Sequence, residues 1–282
     1  MFVRADTLLR SGEQGGGKHV IHFGWEDFQP MVMLCDHKGE VANMDLGGEI
    51  DWTVSENKRC VGSFGEDGYH RCPEAMPVRR FDQCSRCSST WIGRQDCVFE
   101  PQCEGGRCDS PICSREHTVY LAFFGETGKI GMTTSRRLKE RGIEQGADAI
   151  VPLARFPNRL LARRAEQDTS ERLRLTQYVR KYKAVRLLTS HPRADRLEQL
   201  YRAFQETLEH RMELLNEPLL MLDGYPLHAP EGREYKLIDA PGKHKGKILG
   251  LKGKFLVYDD GGETLKAMDA SDLPGRFVSA KR

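Results

Sequence analysis

The chain has 282 residues, 39% hydrophobic and 30% charged, with a formal net charge of +2 at neutral pH. That length allows one large domain or two to three small ones, whose thin cores metal would help to stabilise. No run approaches the roughly 18 apolar residues a membrane helix needs and residues 1–17 carry no apolar export signal, so a membrane partner is excluded and a reducing, cytoplasmic setting is expected.

Residues 1–59 read as an N-terminal β-rich segment, with a Gly-rich loop over residues 12–17 and apolar runs of strand length at 20–23 and 31–35. Residues 60–116 are turn-rich and hold eight of the nine cysteines. In a reducing compartment clustered thiols mean metal rather than disulfides. Zinc takes four N or S ligands at tetrahedral corners, and a Cys-x2-Cys turn supplies two of them. Cys84-Ser-Arg-Cys87 is such a turn, with Cys60 and Cys72 as the natural second pair. Cys97, Cys103, Cys108 and Cys113 form a second group, for which His117 or His70 are substitute ligands, and Cys35 is left over. Eight thiols within 54 residues are a strong signal. Four thiolates close the coordination shell, so one or two zinc ions are expected to hold the fold rather than to react. An iron–sulfur cluster is the alternative use of the same ligands.

Residues 117–215 regain periodicity. A strand over 118–124, a turn at Gly125-Glu-Thr-Gly128 and a strand over 129–133 predict a hairpin. If those four residues are the loop, Phe124 pairs with Lys129 and Ala122 with Gly131, and Tyr120 pairs with Thr133. Tyr120, Lys129 and Thr133 then share one face, with Gly131 leaving a gap for a ligand. A helix is expected from the Thr133-Thr-Ser135 region to Gly146, bearing Arg136, Arg137, Lys139 and Arg141, cations suited to phosphate. A strand over 149–154 comes next, then a helix opened by Pro157, with helical stretches continuing to Leu215 and a break at Ser190-His-Pro192. In the first of these, Ala162, Glu166, Thr169 and Leu173 form one inward stripe, and a carboxylate there needs a cation, metal or arginine. Between Arg155 and Arg202 there are 13 Arg/Lys against 5 Asp/Glu, a local +8, which points to a polyanion. Residues 216–282 turn to Gly, Pro and β-formers and predict a small C-terminal β-barrel. Its lysines 243, 245, 247, 252 and 254 suit a solvated edge hairpin.

Thr118-Val-Tyr120, Lys129-Ile-Gly131, an Arg-bearing helix and an inward Glu on the next helix resemble the GIY-YIG nuclease superfamily over about residues 117–175. More of the chain resembles an uncharacterised microbial group, domain-of-unknown-function family 2797. The likeness lies in Cys60-Val-Gly62, Cys72-Pro73, Cys84-Ser-Arg-Cys87, Val119-Tyr-Leu-Ala122, Glu144-Gln-Gly-Ala147 and the Gly-rich run from Gly246 to Gly253. That second resemblance brings no known activity. The expected fold is α+β: the zinc-binding Cys-rich module, a small antiparallel sheet with flanking helices that the nuclease resemblance implies, and the C-terminal β-barrel-like tail. The nuclease resemblance also implies a site in which Tyr120 activates water, Arg141 (or Arg136 or Arg137) stabilises charge and Glu166 holds Mg²⁺ or Mn²⁺. Two positions depart from the pattern: Lys129 replaces the second motif's tyrosine, and Gln145 stands where a histidine is frequent. The functions in view are metal-dependent phosphodiester hydrolysis on RNA or DNA, binding of structured nucleic acid without catalysis, and a nucleic-acid-modifying or group-transfer enzyme using Tyr120, Lys129 and Glu166.

Overall fold

The apolar runs near the N-terminus do become paired strands, because their Val, Ile, Phe and Trp side chains suit a half-buried pleated surface. The computed structural model describes residues 17–88, 97, 100–101, 110–208, 213–230 and 232–280. It divides into two units, Met1–Ser89 together with Pro226–Arg282, and Thr90–Tyr225.

The first unit opens with β1 (Lys18–Glu26), β2 (Gln29–Cys35), β3 (Val41–Asn43) and β4 (Glu49–Val54). Four short strands come next: β5 (Lys58–Arg59), β6 (Ser63–Gly65), β7 (Gly68–His70) and β8 (Pro77–Val78). They pair locally, β5 with β8 and β6 with β7, and so fold residues 58–78 back on themselves.

The second unit carries β9 (His117–Phe124), β10 (Thr127–Thr134), α1 (Leu138–Gln145), β11 (Ala149–Phe156), α2 (Arg159–Leu173), α3 (Lys181–Arg186), α4 (Ala194–Leu208) and β12 (Leu220–Met221). The sheet is antiparallel in the order β10-β9-β11-β12. Every residue of β9 is buried, as an inner strand covered on both faces requires. Val119, Leu121 and Phe123 point one way and pack with Ala162 of α2 and with Leu197, Tyr201 and Leu208 of α4. Tyr120 points the other way, to Gln145 at the end of α1.

The hairpin register differs from the expected one by two residues. Thr127 pairs with Phe124, Lys129 with Ala122, Gly131 with Tyr120 and Thr133 with Thr118. The loop is thus Gly125-Glu126, with the Gly125 N–H donating to the Asp148 carboxylate at 2.6 Å. An even shift keeps every side chain on its predicted face, so Tyr120, Lys129 and Thr133 still share one side. α1 ends where Gly146 turns left-handed, as predicted. α2 is capped by Asn158, whose side chain accepts from Leu161 N–H, rather than opened by Pro157. The helical stretch also breaks earlier than expected: residues 174–180 run beside β10, where Ile130 N–H donates to Thr176 O at 3.0 Å.

In the first unit the chain resumes with β13 (Tyr235–Ile238), β14 (Gly242–Lys252), β15 (Phe255–Asp259), β16 (Leu265–Asp269) and β17 (Phe277–Ala280). The sheet order is β13-β16-β15-β14-β4-β17-β1-β2-β3, nine strands in one open sheet. Two expectations are corrected here. The strands of residues 18–54 and of residues 235–280 share one sheet, β12 of the 216–282 segment belongs to the second unit, and the C-terminal strands do not close a barrel of their own. The cause is β14, whose 11 residues are long enough to pair with β4 through their first half and with β15 through their second. β14 is therefore an inner strand, not an edge hairpin; Lys252 is buried in it, and Lys254 in the following turn pairs with Asp269 at 3.0 Å. The class is α+β, mostly sheet. No described helix is long and apolar enough to cross a membrane.

Candidate metal centre and candidate active site

In the first unit the thiols of Cys60, Cys72, Cys84 and Cys87 converge, all four sulfurs lying within 4.8 Å of one another. A tetrahedral ion with Zn–S bonds of about 2.3 Å has sulfur–sulfur edges of about 3.8 Å. The Cys72–Cys84 separation of 4.0 Å is close to that edge. Two tight turns deliver the ligands. In one, Cys87 N–H and Ser88 N–H both return to Cys84 O, at 3.1 and 2.8 Å. In the other, Cys60 is followed by Gly62 at φ +82, where a Cβ would lie 2.2 Å from His70 O, so only glycine fits. Cys60 Sγ accepts from Gly62 N–H at 3.4 Å and Cys84 N–H at 3.2 Å, donors that stabilise a thiolate. Burial works to raise the Cys84 thiol, but hydrogen bonds from the Cys87 backbone and the Cys60 side chain outweigh it and bring it down to about 7. Burial pushes the Cys60 and Cys87 thiols up. Four soft thiol donors complete a tetrahedral shell and so fit a structural zinc ion.

The second cysteine group is only partly in view, since Cys103 and Cys108 lie outside the described residues. Cys97 and Cys113 are tied to one side chain and its backbone: Arg159 donates to Cys97 O through its guanidinium and to Cys113 O through its N–H. The substitute ligands take other partners. His70 meets Asp67 at 2.7 Å, and His117 bonds Arg115 O through Nδ1 at 2.8 Å.

In the second unit β9, β10, α1 and α2 bring five of the seven predicted catalytic residues together. Lys129 Nζ donates to Gln145 Oε1 at 2.5 Å, and Gln145 Nε2 donates to the Tyr120 oxygen at 2.9 Å. The Lys129 ammonium also lies 5.9 Å from the Tyr120 ring centre. Arg141 and Glu166 are close enough to bias both groups. Burial, reinforced by repulsion from Arg141 and opposed by Glu166, drives the Lys129 ammonium down to about 7. Burial pushes the Tyr120 phenol up, against the pull of Arg141 and Gln145. Tyr120 is 1% and Lys129 9% exposed, while Arg141 and Gln145 are half-buried and form the outer side of the cluster.

The remaining two do not join. Thr133 shares the face but stands four residues, about 13 Å, along the strand from Lys129. Arg137 is paired with Glu140 at 3.0 Å and with Glu144 at 2.5 Å, and Glu144 also holds Arg141 at 3.2 Å. The gap expected beside Gly131 is filled from within, because a Cβ there would lie 2.4 Å from the Tyr120 Cζ and hydroxyl oxygen. Glu166 is buried on the predicted stripe with Ala162 and Thr169, and its cation is Arg163, at 2.7 Å. Arg163 also donates to Glu100 at 2.8 Å and to Gln177 at 2.7 Å. Arg163 is a site residue missing from the sequence-derived set, although its i, i+3 spacing from Glu166 marks a helical ion pair. Burial pushes the Glu166 carboxyl up, and Arg163 opposes it. Glu100, held by the same Arg163, is the second carboxylate beside Glu166, and among the described residues no group of three or more His, Cys, Asp or Glu ligands includes Glu166. Glu166 is already held by the Arg163 guanidinium, so a divalent cation on its carboxylate would have to compete with that ion pair.

No curated protein and no solved structure matches this chain. A family model does match, and it covers residues 47–272, which include the four-cysteine centre and the whole Tyr120–Glu166 cluster. On that span the chain belongs to the protein family of unknown function DUF2797.

Proposed function

We propose that the Thr90–Tyr225 unit acts on nucleic acid and hydrolyses phosphodiesters, in the manner of a GIY-YIG-like site with lysine as its base. The carrying observation is the separation of two neighbouring proton affinities. Free lysine and tyrosine titrate close together, but here Lys129 falls to about 7 and Tyr120 rises. Adjoining groups pushed apart in this way take base and acid roles.

Neutral Lys129 accepts a proton from water as the water oxygen bonds to phosphorus. The ester P–O bond breaks, and the leaving oxygen takes the Tyr120 proton. Arg141 offsets charge on the phosphoryl oxygens. Gln145 is a positioning residue: with its carbonyl fixed by Lys129, its N–H holds the Tyr120 oxygen and turns the O–H outward. Glu166, secured by Arg163, keeps Lys129 from falling further. This assignment moves the base from Tyr120, which the nuclease resemblance implies, to Lys129. The four-cysteine centre serves the fold of the first unit and takes no part.

The test incubates the purified chain with end-labelled single-stranded, duplex and folded nucleic acids, with and without Mg²⁺ or Mn²⁺. Cleavage should rise with pH and level off above about 7. Lys129→Met should lower it at least about 100-fold. Failure of the wild-type chain to cut any of them removes the hydrolytic reading. Binding without turnover is the second reading, favoured by the 1% exposure of Tyr120. It predicts retention that falls steeply with salt and no product.

A further inference from the structure

Outside the buried cluster, the second unit has a stretch where exposed aromatic rings and cations coincide. Residues 172–194 contain seven Arg or Lys and no Asp or Glu. Arg172 and Arg193 are held by Asp168 and Asp195. Among the described residues, Arg180, Lys183 and Arg186 have no carboxylate partner. Beside them Tyr178 is 59% and Tyr182 56% exposed, and the Arg186 guanidinium lies 5.2 Å from the Tyr182 ring centre. The tyrosines are not needed to anchor this segment, since Val185 and Leu188 are the side chains it buries.

Position adds to composition. Thr176 bridges Lys129 beside β10 and accepts from Ile130 N–H at 3.0 Å. Tyr178 stands two residues later, about 7 Å of chain from the strand edge that carries Lys129.

We propose that residues 176–186 are a stacking platform for unpaired nucleotides of a single strand, with Tyr178 and Tyr182 under successive bases and Arg180, Lys183 and Arg186 on the phosphates. It rests on the reading of this unit as acting on nucleic acid, and it names the substrate form. Aromatic faces interleaved with cations serve unpaired bases, because paired bases keep their faces inside the duplex.

The experiment uses the full chain and a 16-nucleotide strand carrying 2-aminopurine, read at equilibrium with no divalent cation added. Binding should quench the base fluorescence, and a blunt duplex of the same length should bind at least about tenfold more weakly. Tyr178→Ala with Tyr182→Ala should abolish the quenching and weaken binding about tenfold or more, while the Tyr→Phe pair retains both. Replacing Arg180, Lys183 and Arg186 by Gln should lower the slope of log K against log salt by about 0.7 for each phosphate left without its cation. Equal affinity for the duplex, or quenching indifferent to the alanines, overturns the platform. So does tyrosine-dependent binding to vesicles of anionic phospholipid in place of the strand. Stacking without cleavage keeps the platform and removes the hydrolytic reading, whereas cleavage without tyrosine-dependent quenching does the reverse.

Discussion

The four-cysteine centre and the Tyr120–Lys129 cluster are both polar groups taken out of water, yet they are satisfied in opposite ways. The centre gathers four like donors whose sulfurs crowd within 4.8 Å of each other, an arrangement that repels itself once the thiols ionise and is neutralised by a cation. The cluster gathers unlike groups that answer one another: ammonium to amide, amide to phenol, guanidinium to carboxylate. The first is a set that could hold a zinc ion, the second is closed within the chain. Removing zinc and removing a side chain should therefore damage different units.

The largest effect should come from the metal side. Cys60→Ser should lose one equivalent of bound zinc by elemental analysis and unfold the 58–88 region, since a structural zinc contributes on the order of 10 kcal/mol. A variant that keeps full zinc content and an unchanged melting profile breaks the comparison at its root. Second is Lys129→Met, expected to cost at least about 100-fold in cleavage while the protein remains folded, because methionine fills the site without a desolvated ammonium.

The same residue gives a pH prediction. The unfolded lysine binds its proton up to about 10.5 and the folded one only to about 7. Between those values the unfolded state holds the extra proton, so stability contributed by this residue rises with pH across that window. The full span is on the order of 4–5 kcal/mol, and comparing denaturant melts of wild type and Lys129→Met from pH 6 to 10 should isolate it. Identical slopes would mean that Lys129 is not desolvated. Gly131→Ala should cost about 1–3 kcal/mol by pressing a methyl into the Tyr120 ring. Tyr120→Leu should relieve most of that cost in a double-mutant cycle. Smallest is Tyr225→Phe, which deletes the bond to Ala147 O at 2.9 Å beyond the end of α1, at about 1 kcal/mol in chemical denaturation.

Legibility in the sequence divides along the same contrast. Cys60, Cys72, Cys84 and Cys87 can be grouped by inspection because the ligands are of one type and near in sequence, so spacing carries the geometry. Tyr120, Lys129 and Glu166 could be placed on faces by periods of two and 3.6, and those periods survived a register error of two residues. What periods cannot carry is which unlike group answers which. Gln145 answers both Lys129 and Tyr120, 16 and 25 residues away, and no period links the three. Nor can they carry pairing across long gaps. Nothing local in the run from Gly242 to Lys252 says that one half of it belongs beside residues 49–54.

That long-range pairing sets a timetable for synthesis. β4 leaves the ribosome about 190 residues before β14 begins and still longer before β17, its two neighbours. At about 5–20 residues per second the wait is about 10–40 s. All of Thr90–Tyr225 emerges in that interval and can fold first. Until the last strands arrive, β4 stands with bare ladder groups on both sides, the form of a nascent chain most open to mispairing and to chaperone capture.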